Sequence, residues 1–144
     1  MQATRSYDFV SASDTSTDTS ISLDLEKKIN EITADLQPWY ANKLFSIPPD
    51  QAMIVVAYIK AMKLEANLST QYRKDLILLL TKFSAYMSNK DFRDITRDDV
   101  LSFLESYRKP ENADPLHKWI GTYNLYNLHL MRFFKWLYCP DIAP

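Results

Sequence analysis

Gly121 is the only glycine in 144 residues. Tight hairpins need positive φ at the turn, which glycine adopts without steric cost, so a chain this poor in glycine has few means of building a hairpin-rich β fold. Apolar residues make up 47% of the chain, enough for one domain with a real core. The expected fold class is all-α, a compact bundle of about five helices.

Hydrophobic spacing divides the chain. Residues 1–21 are a Ser/Thr/Asp-rich tail whose apolar content is too low to offset the entropy of ordering, and it is expected to be disordered. A first helix begins after Ser22, with Leu25, Ile29, Ile32 and Leu36 on one side, and Pro38 ends or kinks it. Trp39, Tyr40, Leu44 and Phe45 form an apolar connection completing a 22–48 segment. The main domain, residues 49–140, opens with a helix from about Pro49 to Ala66, apolar around most of its girth. A third helix from about Ser69 to Ser88 carries Tyr72, Leu76, Leu79, Leu80 and Phe83 and is expected to be the most buried. Thr96 and Asp99 have capping-box spacing and start a fourth helix, with Val100, Phe103, Leu104 and Tyr107 inward and Pro110 as its stop. Asp114-Pro115 reads as N-cap and first position of the last helix, which kinks at Gly121 or restarts at Thr122 and runs to about Tyr138. Residues 141–144 would begin a linker.

Composition narrows the chemistry. Seventeen basic and eighteen acidic residues leave a net charge of −1, so any affinity for nucleic acid must come from local charge distribution. One cysteine, Cys139, excludes an internal disulfide, and with two histidines it cannot complete a four-ligand zinc site without suitably spaced carboxylates. No metal or cofactor is expected. There is no membrane-length apolar run and no export signal, so the expectation is a cytoplasmic protein.

Three segments, in order, resemble the core-binding domain of tyrosine recombinases, the phage-integrase-like family. Tyr72-Arg73-Lys74-Asp75-Leu76 continuing to Phe83 is similar to the family's Tyr-x-x-Asp-Leu-x-x-Phe helix. Ile95-Thr96-Arg97-Asp98-Asp99-Val100-Leu101-Ser102-Phe103-Leu104 is similar to Ile-Thr-x-x-Asp-(Leu/Val)-x-x-Phe-Leu. Thr122-Tyr123-Asn124, running to Phe133-Phe134-Lys135-Trp136-Leu137, resembles the Thr-x-Asn helix that ends in Phe-Phe-x-(Trp/Tyr)-Leu. The resemblance covers roughly residues 50–140; Leu68 stands where the family usually has a threonine, and the basic residue often found early in the last helix is missing. It implies a non-catalytic, SAM-like helical module that grips one side of a recombination site in double-stranded DNA. The catalytic groups would lie in a separate C-terminal domain of the same parent chain, and other recombinase protomers are further possible partners.

The local charge pattern points to the same partner. No acid lies between Asp114 and Asp141, whereas Lys118, Arg132 and Lys135 do, together with Thr122, Asn124 and Asn127. The start of the third helix adds Ser69, Thr70, Gln71, Arg73 and Lys74, near backbone N–H groups that favour anions. The candidate DNA contacts are therefore Ser69, Thr70, Gln71, Arg73, Lys74, Lys118, Thr122, Asn124, Asn127 and Arg132. For Arg73 and Lys74 the competing reading is an ordinary solvated helix face. His129-Leu130-Met131-Arg132 has the His-x-x-Arg spacing of a catalytic motif of the resembled family, but it sits inside the core-binding segment and is read as coincidence. The nineteen tyrosine, phenylalanine and tryptophan residues, at helical spacing, are read as core rather than as a base-stacking platform. A helical protein–protein interaction module, docking through the first helix and Trp39–Phe45, is the alternative function.

Overall fold

A computed structural model describes residues 22–139; the expectations for the 1–21 tail, Pro140 and the 141–144 linker lie outside the described residues. Helix α1 spans 22–33. It is followed by α2 (Pro38–Phe45), α3 (Pro49–Ala66), α4 (Thr70–Tyr86), a 3₁₀ turn (Phe92–Asp94), α5 (Arg97–Glu105) and α6 (Lys118–Tyr138). No strand occurs among the described residues, and the fold is an all-α bundle.

Leu25, Ile29 and Ile32 of α1 are buried, as their spacing requires. Residues 38–45 depart from expectation by forming a helix rather than a connection. Helix α1 ends at residue 33, short of Leu36 and of Pro38, and Pro38, having no N–H to leave unpaired, serves as the first residue of α2. Only Leu44 of this short helix is fully buried, so its periodic signal is weak.

Helix α3 buries residues around most of its girth, and α4 packs against α2, α3 and α6. The third helix is central, as expected, with Leu76, Ile77, Leu80 and Phe83 fully enclosed. Ser69 caps it by accepting from Tyr72 N at 3.1 Å. Beyond α4 the chain reverses through Ser88 and Asn89, both at positive φ (53° and 63°). Buried Gln51 holds this bend by donating to the carbonyls of Asn89 (2.6 Å) and Lys90 (2.7 Å), while Ser84 donates to its Oε1.

The capping box of α5 forms as read. Asp99 N donates to Thr96 Oγ1 at 3.1 Å, and Thr96 N donates to Asp99 Oδ2 at 2.9 Å. Helix α5 ends at Glu105, before Pro110. Helix α6 starts at Lys118 rather than at Asp114-Pro115, because His117 takes a left-handed conformation (φ 53°) just before it. Asp114 still acts as a cap from a distance, accepting from Trp119 N at 2.9 Å. Gly121 neither kinks nor interrupts α6, and a methyl group there would meet nothing within 4 Å.

Aromatic rings close the core. Phe83 meets Phe103 edge-on at 5.0 Å and Phe134 at 5.9 Å. Phe133 meets Tyr58 of α3 and Phe92 of the 3₁₀ turn, each at 5.2 Å. Tyr58, Phe83, Phe92, Phe103 and Phe133 are fully buried, so these rings are core, as read. Phe133→Ala should cost on the order of 3–5 kcal/mol in urea unfolding, because α3 and the 3₁₀ turn both lose their partner on α6. A loss below about 1 kcal/mol would show that the site collapses without it.

Candidate nucleic-acid interface

The candidate contacts fall into distinct settings. Arg73 is buried, and its guanidinium makes a two-pronged bond to Asp35 (2.6 and 2.8 Å) and a third to the carbonyl of Ile32 (2.9 Å). This ties the end of α1 to the first turn of α4. Assigning Arg73 to DNA is therefore corrected: its charge faces inward and is already paired. Arg73 and Lys74 are neighbours in sequence, but one helical step of about 100° sends one into the bundle and leaves the other at its edge. The Arg73 guanidinium holds the Asp35 carboxyl below the usual carboxylate range.

Elsewhere on the first turn of α4, Ser69 is occupied as the cap and Gln71 donates to Asp75 at 3.0 Å. Thr70 is exposed. Half-buried Lys74 places its ammonium 5.7 Å from the centre of the Tyr40 ring.

On α6, Leu130, Phe133 and Leu137 face inward, which turns Asn124, Arg132 and Lys135 outward. Lys118 is exposed and Thr122 half-buried; both line a shallow cleft with Tyr107, Lys109 and Trp119. Asn127 lies about 140° around the helix from Thr122 and lines a separate groove against α5. Lys118 and Arg132, fourteen residues apart, are separated by about 21 Å along the axis.

One junction brings α4 and α6 together. The Tyr72 hydroxyl accepts from Arg132 Nη1 at 3.1 Å and lies 3.1 Å from His129 Nδ1, with the two rings edge-on at 4.8 Å. His129 is buried. Burial, reinforced by the positive charge of Arg132 and opposed by Asp75, lowers its pKa from 6.5 and favours the neutral ring. The His-x-x-Arg spacing thus has a structural occupation, since both residues converge on Tyr72 and fix Arg132 beside the first turn of α4. Tyr72 as organiser was not read from the sequence, nor was Asp35; the Asp35–Arg73 pairing spans 38 residues and leaves no local signal.

Among the described residues no group of His, Cys, Asp or Glu is placed to hold a metal ion, and no helix is long and apolar enough to cross a membrane. Comparison with protein families, curated proteins and solved structures returns no match.

Two tests follow from these geometries. Asp35→Ala should destabilise more than Arg73→Met in urea unfolding, because the first leaves a buried guanidinium poorly paired while the second removes the buried charge. The reverse order would mean that desolvation of Arg73 is not what the pair offsets. The second concerns pH. His129 binds a proton less readily in the folded state than at its ordinary value of 6.5, so the unfolded chain takes up protons first as pH falls through that value. Stability should therefore decline as pH drops below 6.5, at higher pH than any loss from Asp35, Asp99 or Asp114, whose carboxyls are held below 3.8. His129→Gln should flatten the upper part of that decline in thermal melts from about pH 7 to 5; an unchanged slope would place the titrating group elsewhere.

Proposed function

We propose that the chain is a double-stranded DNA-binding module of the kind its three segments resemble, the core-binding domain of a tyrosine recombinase. It would grip one side of a recombination site in the cytoplasm and orient a separate catalytic domain of the parent protein, with other protomers as further partners. The observation that carries this reading is the solvent face of α6. Lys118, Arg132 and Lys135 are all exposed on a 21-residue helix without a carboxylate, with exposed Asn124 among them. Through Tyr72 this face adjoins the first turn of α4, whereas Lys74 lies on the far side of that helix, over the Tyr40 ring of α2. The module acts by position and charge: cations displace counterions from phosphates, and the polar side chains set register. Catalysis is not assigned to this chain.

The interaction-module alternative is supported by Trp39 and Phe45, each about half exposed on α2. Mobility shifts with a duplex over a range of salt separate the two readings. Changing Lys118, Arg132 and Lys135 together to Gln should flatten the slope of log K against log salt by about 2–3 units, roughly one per phosphate released. The same change at Lys27, Lys60 and Lys63, on α1 and α3, should alter the slope by less than about 1 unit. Circular dichroism must show both variants folded. Equal losses would reduce the binding to diffuse attraction, and absence of any salt-dependent binding by the unaltered protein would favour the interaction module.

A further inference from the structure

Among the described residues, an apolar flank of α6 beside α5 is left uncovered. Between α5 and α6 runs an open groove of about 510 Å³, with Val100 and Leu101 on one wall and Leu130, Met131, Phe134 and Tyr138 on the other. Its rim is unusually apolar for solvent: Met131 is 63% exposed, Tyr138 54% and Leu101 38%, and exposed Ile120 continues that side of α6. Contiguous exposed apolar surface of this kind marks an interaction site more often than chance scatter. From Asn127 to Tyr138 the α6 wall is about 16 Å long, some three helical turns, and both long walls are themselves helices. That shape matches the apolar stripe of an amphipathic helix laid along the groove. Exposed Met131 gives the wall an adaptable surface for such a stripe.

The charge pattern selects among helices. Among the described residues Arg97 is the only charged one lining the groove. Lys135 stands on the outer side of the α6 wall, and α6 carries no carboxylate to offset it. On the outer side of α5, exposed Asp98 and Glu105 flank Leu101, and Glu105 is already paired with Arg108. A docked helix is therefore favoured when its carboxylates run along the edge facing α6 and disfavoured when that edge is basic. A second copy presenting α6 would oppose cation to cation. The polar groups of the groove fit as well. Thr96 is committed to the capping box, the Tyr138 hydroxyl donates to the Arg93 carbonyl at 3.1 Å, and Asn127 makes no side-chain hydrogen bond among the described residues.

We infer that the α5–α6 groove docks an amphipathic helix of a partner protein, apolar on its inner face and acidic along one edge. The inference shares Lys135 with the DNA reading but not its test, because Met131 and Leu101 are not among the cations on which that reading rests. Two fluorescein-labelled 16-residue helical peptides serve as probes in anisotropy titrations with the full chain. Both carry leucines at i, i+3, i+4 and i+7 spacing; one has glutamates along an adjoining edge and the other lysines. The glutamate peptide should bind at least about tenfold tighter than the lysine peptide, a gap of about 1.4 kcal/mol. Met131→Glu, at a position the core does not use, should weaken the glutamate peptide about tenfold or more, and Leu101→Glu is the second variant should the first disturb folding. Arg97→Glu should narrow the preference between the peptides. Equal binding of both peptides, or glutamate-peptide binding untouched by Met131→Glu and Leu101→Glu, overturns the inference. So does concentration-dependent dimerisation in sedimentation that Met131→Glu abolishes, because the occupant would then be a second copy.

Discussion

The placement of every exposed group on α6 depends on how its aromatic residues enter the core. Phe133 packs against Tyr58 and Phe92, while Phe134 reaches Phe83. With Leu130 and Leu137 they fix the rotation of the helix about its axis. Once these residues point inward, the 3.6-residue period leaves Met131, Arg132 and Lys135 no direction but outward. The cationic face and the apolar groove are thus two consequences of one packing decision. A rotation of α6 by one residue, about 100°, would bury Arg132 or Lys135 and expose a phenylalanine, and both changes are unfavourable.

Polar groups inside the bundle perform a different task. Gln51 bonds two carbonyls of the bend after α4, and Arg73 joins α4 to the end of α1. Neither adds much apolar burial. Each instead ties a segment with few regular backbone bonds to a helix of the core, where an unpaired polar atom would be costly. The Arg73 pair has one imperfection: its Nε is buried without a partner. The carboxylate of Asp35 remains about half exposed, so the ion pair sits at the boundary of the bundle and is only partly desolvated.

The helical class, the central position of α4 and the start of α5 were legible from local pattern. Scarcity of glycine, an apolar stripe and a capping box are each written within one element or less. What escaped depends on contacts between elements. Helix α2 is short and buries one residue fully, so its period is faint beside the two prolines that follow. The start of α6 was displaced because Asp114 caps from five residues before Trp119, with a left-handed His117 between them. Arg73 shares the inward stripe of Leu76, Ile77 and Leu80 while Lys74 does not, but only the position of Asp35 shows how a buried guanidinium is paired there. Of the site, the acid-free character of α6 was visible, whereas its division into a cationic flank and an apolar groove required knowing which residues face the core.

That division also bears on how a chain of net charge −1 can meet a polyanion. The carboxylates are not spread evenly. Asp91, Asp94, Asp98, Asp99 and Glu105 lie on α5 and the turn before it, and Asp24, Glu26 and Glu31 lie on α1. Some of this negative charge is balanced locally, as where Lys90 pairs with Asp99 at 2.9 Å. At physiological salt, charges separated by more than about 8 Å are largely screened, so on the proposed reading a duplex approaching α6 would respond mainly to the nearest groups. Those are Lys118, Arg132 and Lys135, and α6 itself supplies no acid against them. From Lys90 to Lys109 five cations are interleaved with five acids, so on the proposed reading α6 is set apart not by a larger total charge but by cations that have no acid among them.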